Sequence, residues 1–333
     1  MDDGDRILLA HGGGGELTAK LVNNVILAGL GDAATGSLDD AAVIDVPGRI
    51  AFTTDSFVVK PLFFPGGDIG RLAVCGTIND LAMRGARPLA LSLAFIIEEG
   101  LRMSVLKRVV SSVACAAGQA GVKIATGDTK VVERGSADGL FINTSGIGVA
   151  PPGVSVSLSL ARPGDEIIVS GPVGNHAIAV LAQREGLSFK TTVESDVAPL
   201  NRLVTALLDE LGTGLHVLND PTRGGLAMSL NTIAAASGVA IEIDEHSVPV
   251  DSAVAFAAEM LGLDVLTLPN EGKLVAVVAA GASDRSKNVL SDAGAHPRTI
   301  GRAKKGSGVT LITAGGGRRV LEAPYGEDAP RIC

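Results

Sequence analysis

The sequence predicts a two-domain α/β (α+β) protein. Strand-like and helix-like hydrophobic periodicities alternate through both halves of the 333 residues. Between the halves lies the stretch Ala150-Pro151-Pro152-Gly153, whose composition marks a linker. A chain of this length supports two hydrophobic cores. The expected boundaries are residues 1–152, 153–313, and a mobile tail over 314–333.

In the first half, Leu17, Leu21, Val25 and Ala28 recur at helical spacing within Glu16–Leu30. Ala41–Val46 and Arg49–Thr54 read as strands on either side of a Pro47-Gly48 turn. Asp68 is placed to cap a helix reaching Arg84, with Gly85 in the stop position. Leu89–Ile97 follows as a buried strand, Ser104–Ala120 as a helix ended by Gly121, and Val122–Thr126 and Leu140–Val149 as strands. The second half reads as strand Glu166–Ser170, helices Asn175–Glu185 and Val197–Leu211, and strand Leu215–Leu218. Helix Gly225–Ser237, strand Val239–Ile243 and helix Ser252–Leu261 come next. Strands over Lys273–Val278, Thr299–Gly301 and Gly308–Thr313 complete it, and from Ala314 the periodicity dissolves.

Composition narrows the function. The chain is 46% hydrophobic and carries a net charge of −8, with no Trp and a single Tyr, so it lacks both the basic footprint and the stacking platforms of a nucleic-acid binder. Its longest apolar runs, Ala90–Ile97 and Leu274–Ala280, fall short of the ~20 residues of a membrane span. The first ten residues carry three aspartates and no signal-peptide core. Three scattered cysteines without a CxxC pattern suit free thiols in a reducing cytoplasm.

Carboxylates carry the chemistry. A hairpin folded about Pro47-Gly48 would set Asp40 opposite Asp55, two like charges that repel unless a cation neutralises them. Asp39 lies beside them, Thr77-Ile78-Asn79-Asp80 adds oxygen ligands, and Thr126-Gly127-Asp128-Thr129-Lys130 places an acid and a base in a loop after a strand. Oxygen-only ligand sets favour Mg²⁺; the competing reading is that these acids cap turns and helices. The run His11-Gly12-Gly13-Gly14-Gly15 precedes a helix, where backbone amides can cradle phosphate. Neither a P-loop nor a dinucleotide fingerprint occurs, so a nucleotide would bind in another way. Asn219-Asp220-Pro221-Thr222-Arg223-Gly224-Gly225 also leads into a helix, and Arg223 there either contacts phosphate or substrate or pairs with Asp220.

Taken together, Asp39-Asp40-Ala41, Thr53-Thr54-Asp55, Asn79-Asp80-Leu81-Ala82, Gly127-Asp128-Thr129 and Arg162-Pro163-Gly164-Asp165 with Ser170-Gly171 resemble a known family. It is that of aminoimidazole ribonucleotide synthetase, selenophosphate synthetase and thiamine-monophosphate kinase. Within it, the His11–Gly15 run, Gly127–Lys130, Asn219–Gly225 and Pro330-Arg331-Ile332-Cys333 resemble the carbamoyl dehydratases of nickel–iron hydrogenase maturation. The likeness covers essentially the whole chain. It implies an aminoimidazole ribonucleotide synthetase-like subunit whose N-terminal domains form a homodimer, with ATP and Mg²⁺ along the interface. It further implies that Cys333 receives a carbamoyl group from HypF, that dehydration turns this group into a thiocyanate, and that the cyano group passes to iron on a HypC–HypD complex. The alternative within the resemblance is another ATP-dependent enzyme, such as selenophosphate synthetase or a small-molecule kinase.

On this resemblance the nucleotide falls to His11, Gly12, Gly13, Asp39, Asp55, Asn79, Asp80, Gly127, Asp128, Thr129, Asn219 and Arg223. Mg²⁺ falls to Asp40, Asp55, Asp80 and Asp128. Cys333 carries the group, and Lys130 stabilises charge on the transferring phosphate. Glu271, in Pro269-Asn270-Glu271-Gly272-Lys273, is the candidate base, though it also reads as a solvated turn carboxylate. The tail, extended at ~3.3 Å per residue, is long enough to cross the subunit. His11 and His176 lie near glycine loops without ligand-spaced partners and stand as possible contacts.

Overall fold

Two sheets, one from each half of the chain, organise the molecule. A computed structural model describes residues 6–13, 15–35, 41–186, 193–326 and 331–333. After a single 3-10 turn, Leu9–Gly12, helix α1 (Glu16–Leu21) runs through a π-helical segment, Val22–Leu27, into α2 (Ala28–Leu30). Leu21, Ile26 and Leu30 are its buried face. Strand β1 (Arg49–Phe57) and the short pair β2 (Phe63–Phe64) and β3 (Gly67–Asp68) follow. Asp68 caps α3 (Ile69–Met83) as expected, accepting from the N–H groups of Gly70 and Arg71 at 2.8 and 3.0 Å. Helix α3 is buried almost all round, as its nearly unbroken apolar sequence requires. Then come β4 (Arg87–Glu98), α4 (Met103–Ala120), β5 (Lys123–Val132) and β6 (Leu140–Ala150), with left-handed Gly121 stopping α4. The sheet order is β1-β6-β4-β5, and α3 and α4 share one core with it.

Two expectations fail here. Residues 41–46 form no strand. Ala34 bridges Ile124 on β5, while β1 lies at the opposite edge of the sheet. Residues 41–48 make no ladder with β1. Strand β1 pairs with β6 instead, setting Asp55 opposite Thr144. Asp39 and Asp40 lie outside the described residues. Nor is Thr126–Lys130 a loop, because parallel pairing with β4 carries β5 through to Val132. Gly127 permits this close pairing, since a Cβ there would collide with the Leu93 carbonyl.

The second half opens with β7 (Glu166–Val169), α5 (Asn175–Glu185), α6 (Asn201–Leu211) and β8 (Leu215–Asn219). It continues with α7 (Gly225–Ser237), β9 (Ala240–Asp244), α8 (Ser252–Leu261) and β10 (Val275–Val278). The last elements are α9 (Ser283–Asp292), β11 (Arg298–Lys304), β12 (Gly308–Ile312) and β13 (Arg318–Val320). The strands form a seven-membered sheet ordered β13-β12-β9-β11-β7-β10-β8. Strand β10, Val-Ala-Val-Val, flanked by β7 and β8, is buried at every position, the run expected of a strand covered on both faces. Strand β13 corrects the expectation that regular structure ends at Ala314: Val320 pairs with Thr310, and Leu321 behind it is buried. Among the described residues no helix is long and apolar enough to cross a membrane.

Candidate functional site

Residues 331–333 dock where the two halves meet, so in this structure the end of the tail is not free. The N–H groups of Val58 and Lys60 donate to the carbonyls of Cys333 and Arg331 at 3.1 and 3.2 Å, an antiparallel step alongside the segment that leaves β1. Helix α5 closes the other side: Arg184 Nη2 donates to the Arg331 carbonyl at 2.7 Å, and His176 Nε2 lies 3.0 Å from the Ile332 carbonyl. Ile332 is buried in the first core. Arg331 Nη1 reaches Asp138 at 2.7 Å, where Lys60 also pairs at 2.9 Å. Arg331 adopts φ +55°, the left-handed region otherwise occupied by glycines among the described residues.

This docking leaves the Cys333 side chain half-buried at an acidic pit. Its thiol is pushed up to about 11 by burial and by Glu271 and Asp55, and partly drawn back by a hydrogen bond from Arg223. Arg223 leans on Asp55 at 3.8 Å and faces the pit and the thiol, so its ion-pair partner here is Asp55. Thr53 Oγ1 donates to Asp80 at 2.8 Å, and the Ser56 N–H to Asp55 at 2.8 Å. Burial raises the carboxyls of Asp55 and Asp80, and the Asp55 charge raises Asp80 further. Asp220 is pushed up to about 7 by burial, Asp80 and Asp55.

Glu271 is no solvated turn residue: it is 3% exposed. Burial, then Asp220, Asp196, Asp55 and Asp80, hold its carboxyl well above the usual range. Its loop is fixed from below by Asp196, which accepts from the N–H groups of Glu271 and Gly272 at 3.2 and 3.3 Å and pairs with Lys273 at 3.1 Å. Fully buried Asn270 accepts from the Gly174 N–H at 2.8 Å and donates to the Pro221 and Leu268 carbonyls at 3.0 Å. One amide thus ties together the loops ahead of α5, α7 and β10.

Several expected residues sit elsewhere. Asn79 is buried and its amide is fully taken up: it donates to the Ala198 and Glu271 carbonyls and accepts from the Leu200 N–H at 2.8 Å. It clamps the halves together and offers nothing to a nucleotide. Gly127 shares a row across the sheet with Leu93, Thr144 and Asp55. Asp128, one residue on, therefore points to the opposite face. It carries Lys130 with it at 3.1 Å. Within one chain, then, Asp128 and Lys130 do not join Asp55 and Asp80, and among the described residues no three His, Cys, Asp or Glu side chains converge on a metal position. Asp128 and Lys130 border a cavity of about 660 Å³ that also takes in Gly12, Gly127 and Thr129 and has Val22, Ile26, Leu30 and Ile124 on its apolar side. Gly12 is there for packing, since a Cβ would press on Val131, and His11 Nδ1 accepts from the Leu8 N–H at 3.0 Å, closing its own turn. Asn219 accepts from Ser229 Oγ at the end of β8. Asp196 was missed because nothing local distinguishes it; Asn270 stood unassigned in the quoted motif around Glu271, and His176 stood as a possible contact without a role. Asp220 stood in a quoted motif, where its role as a pit carboxylate was not legible.

Residues 38–150 match the N-terminal domain of AIR synthase related protein, and residues 162–314 the C-terminal domain. The chain is 47% identical over 336 residues to carbamoyl dehydratase HypE of Rhizobium leguminosarum bv. viciae, covering 98% of this chain and 95% of that protein. It superposes with a TM-score of 0.94 on a solved hydrogenase maturation protein HypE in complex with ATP, at 46% identity and covering 98% of this chain and 99% of that one. A solved HypE–HypF complex contains a chain similar at TM-score 0.81 and 48% identity, with coverage of 93% and 98%.

Proposed function

The chain belongs to the carbamoyl dehydratase HypE family, enzymes on the two-domain AIR synthase related scaffold, and on that premise we propose that it uses ATP to dehydrate a carbamoyl group carried by the sulfur of Cys333. The observation that carries this reading is the docking of Cys333 at the acidic pit, with buried Glu271 and Arg223 acting on its thiol. The carbonyl oxygen of S–C(=O)NH₂ takes the γ-phosphoryl group as ADP leaves. The C–O bond then breaks, both N–H protons depart, and S–C≡N, ADP, phosphate and one proton result. Glu271, its carboxyl raised by burial and its acidic neighbours, is the carboxylate placed to take an N–H proton. Arg223 offsets charge beside the reacting sulfur.

Asp55 and Asp80 would supply part of the oxygen set for Mg²⁺, with the nucleotide's phosphates completing it because among the described residues no three carboxylates of one chain converge there, and the ion when bound neutralises the phosphate charge during transfer. The fit is seen in these carboxyls and that of Asp220, all raised by burial, with Asp55 raising Asp80 and both of those raising Asp220, a state that a cation relieves. The nucleotide would take the cavity beside Gly127–Lys130, its base against the apolar wall. Because Asp128 and Lys130 face away from the pit, they would serve the pit of a second copy. A homodimer through the outer face of β1 and β4 suits the exposed Ile50, Phe52 and Ile96 there. The two AIR synthase related halves would be the domains 1–152 and 153–313. HypF would deliver the carbamoyl group, and a HypC–HypD complex would accept cyanide for nickel–iron hydrogenase, in the cytoplasm. The test is mass spectrometry of chain carbamoylated on Cys333: ATP should remove one water from the Cys333 peptide. ATP turnover unchanged by Cys333→Ala under carbamoylating conditions would sink the proposal.

A further inference from the structure

Three backbone carbonyls at the end of the tail are each held, and the central one is held by a histidine buried away from any solvent. His176 is fully buried, with Phe64 edge-on to its ring at 5.4 Å between centroids. Its two nitrogens have partners that fix the tautomer. The Ile332 carbonyl can only accept, so Nε2 carries the proton and donates at 3.0 Å. Nδ1 is then an acceptor, and Ser195 Oγ–H donates to it at 2.7 Å. Ser195 is itself placed by two backbone bonds, its N–H to the Pro65 carbonyl at 2.8 Å and its hydroxyl oxygen from the Val197 N–H at 3.1 Å. Burial pushes His176 down, which keeps the ring neutral and the arrangement intact.

We propose that His176, its ring oriented by Ser195, is a positioning residue for the tethered thiol: it latches the Ile332 carbonyl and so keeps Cys333 in the acidic pit. This deepens the dehydratase reading and rests on it for its purpose. The latch itself is a matter of geometry. Neither His176 nor Ser195 touches the reacting sulfur in this arrangement. Each acts through the backbone next to it.

The three cysteines make the test internal, because Cys115 is exposed and Cys75 is buried. Alkylation of the full chain by iodoacetamide, followed by mass spectrometry of each cysteine peptide, reads tail docking against both. His176→Phe keeps a ring without a donor, and should raise Cys333 labelling relative to Cys115 about tenfold, the size of one lost buried hydrogen bond, with Cys75 still protected. His176→Gln, whose amide N–H can take the place of Nε2–H, should stay within about twofold of wild type. Ser195→Ala, which frees the ring, should fall between them. Wild-type labelling in His176→Phe, or equal labelling in His176→Phe and His176→Gln, would overturn the latch. Should His176→Phe also uncover Cys75, Ser195→Ala decides: increased Cys333 labelling there with His176→Gln at wild type supports the latch, and wild-type labelling in Ser195→Ala overturns it. Labelling needs neither ATP nor a carbamoyl group. A wild-type chain that docks as described but never loses water would therefore sink the dehydratase reading and leave the latch standing.

Discussion

Removing the charge of Asp220 should change how stability depends on pH. Its carboxyl rises from 3.8 to about 7 in the folded chain, with burial first among the causes and Asp80 and Asp55 behind it. Between those two values the folded state holds a proton that the unfolded state has released, so stability falls as pH rises and levels off above about 7. At about 1.4 kcal/mol per unit the whole shift amounts to about 4 kcal/mol, of which roughly 2 kcal/mol is lost between pH 5 and 7. For 333 residues an unfolding entropy of about 0.7 kcal/mol/K turns this into a Tm change of about 3 °C. Calorimetry of wild type and Asp220→Asn in EDTA, from pH 5 to 7, is the assay. The variant should gain about 3 °C on wild type across that range. Saturating Mg²⁺–ATP should flatten the wild-type profile by holding the same carboxyls ionised. Parallel Tm profiles for the two chains in EDTA would refute the argument, because Asp220 would then titrate alike folded and unfolded.

Other perturbations reach the site by different routes. Gly272→Ala should lower Tm by several degrees and abolish dehydration, because the added Cβ would overlap the Asp196 carbonyl and displace the Glu271 loop; thermal unfolding and the water-loss assay both read it. Asn79→Ala strips three hydrogen bonds from the junction of the halves and should cost roughly 2–4 kcal/mol, measured by denaturant unfolding. Lys130→Ala and Glu271→Gln should each reduce dehydration by at least about 100-fold. If each pit borrows Lys130 from a second copy, mixing the two inactive chains and allowing exchange should restore about a quarter of wild-type turnover, since half the dimers then carry one intact site; no recovery in exchanged dimers would refute the shared site.

Much of the fold was legible because its signals are local. Asp68 and Gly121 announce the start of α3 and the end of α4 through capping chemistry that a few neighbouring residues decide. The hairpin at Pro47-Gly48 misled because a turn signal says nothing of where the chain must go next, and Arg49–Phe57 finds its partner some ninety residues on, in Leu140–Ala150. Gly127-Asp128-Thr129-Lys130 looks like a loop by composition, yet its glycine is what lets β5 lie so close to β4. Helix α9 escaped notice because it is polar throughout and buries little beyond Ser283, Ser286 and Leu290. The pit was half legible. Asp55, Asp80, Arg223, Glu271 and Cys333 stood out by type and motif, whereas Asp196 and His176 matter only because folding brings residues 75 and 156 positions away against them.

The double use of Asp138 bears on what it costs the tail to depart. A carboxylate left without its arginine inside a protein is expensive, and such a debt would hold Arg331 in place. Asp138 incurs none: it lies near the surface, and Lys60 remains on the same oxygen when Arg331 withdraws. The left-handed backbone of Arg331 relaxes on release as well, returning something on the order of 1 kcal/mol. The Arg331–Asp138 pair therefore leaves the exit open. Besides the His176 bond to the Ile332 carbonyl, what slows undocking is the apolar surface of Ile332 coming out of the core, a non-directional resistance that a partner offering its own apolar groove could match.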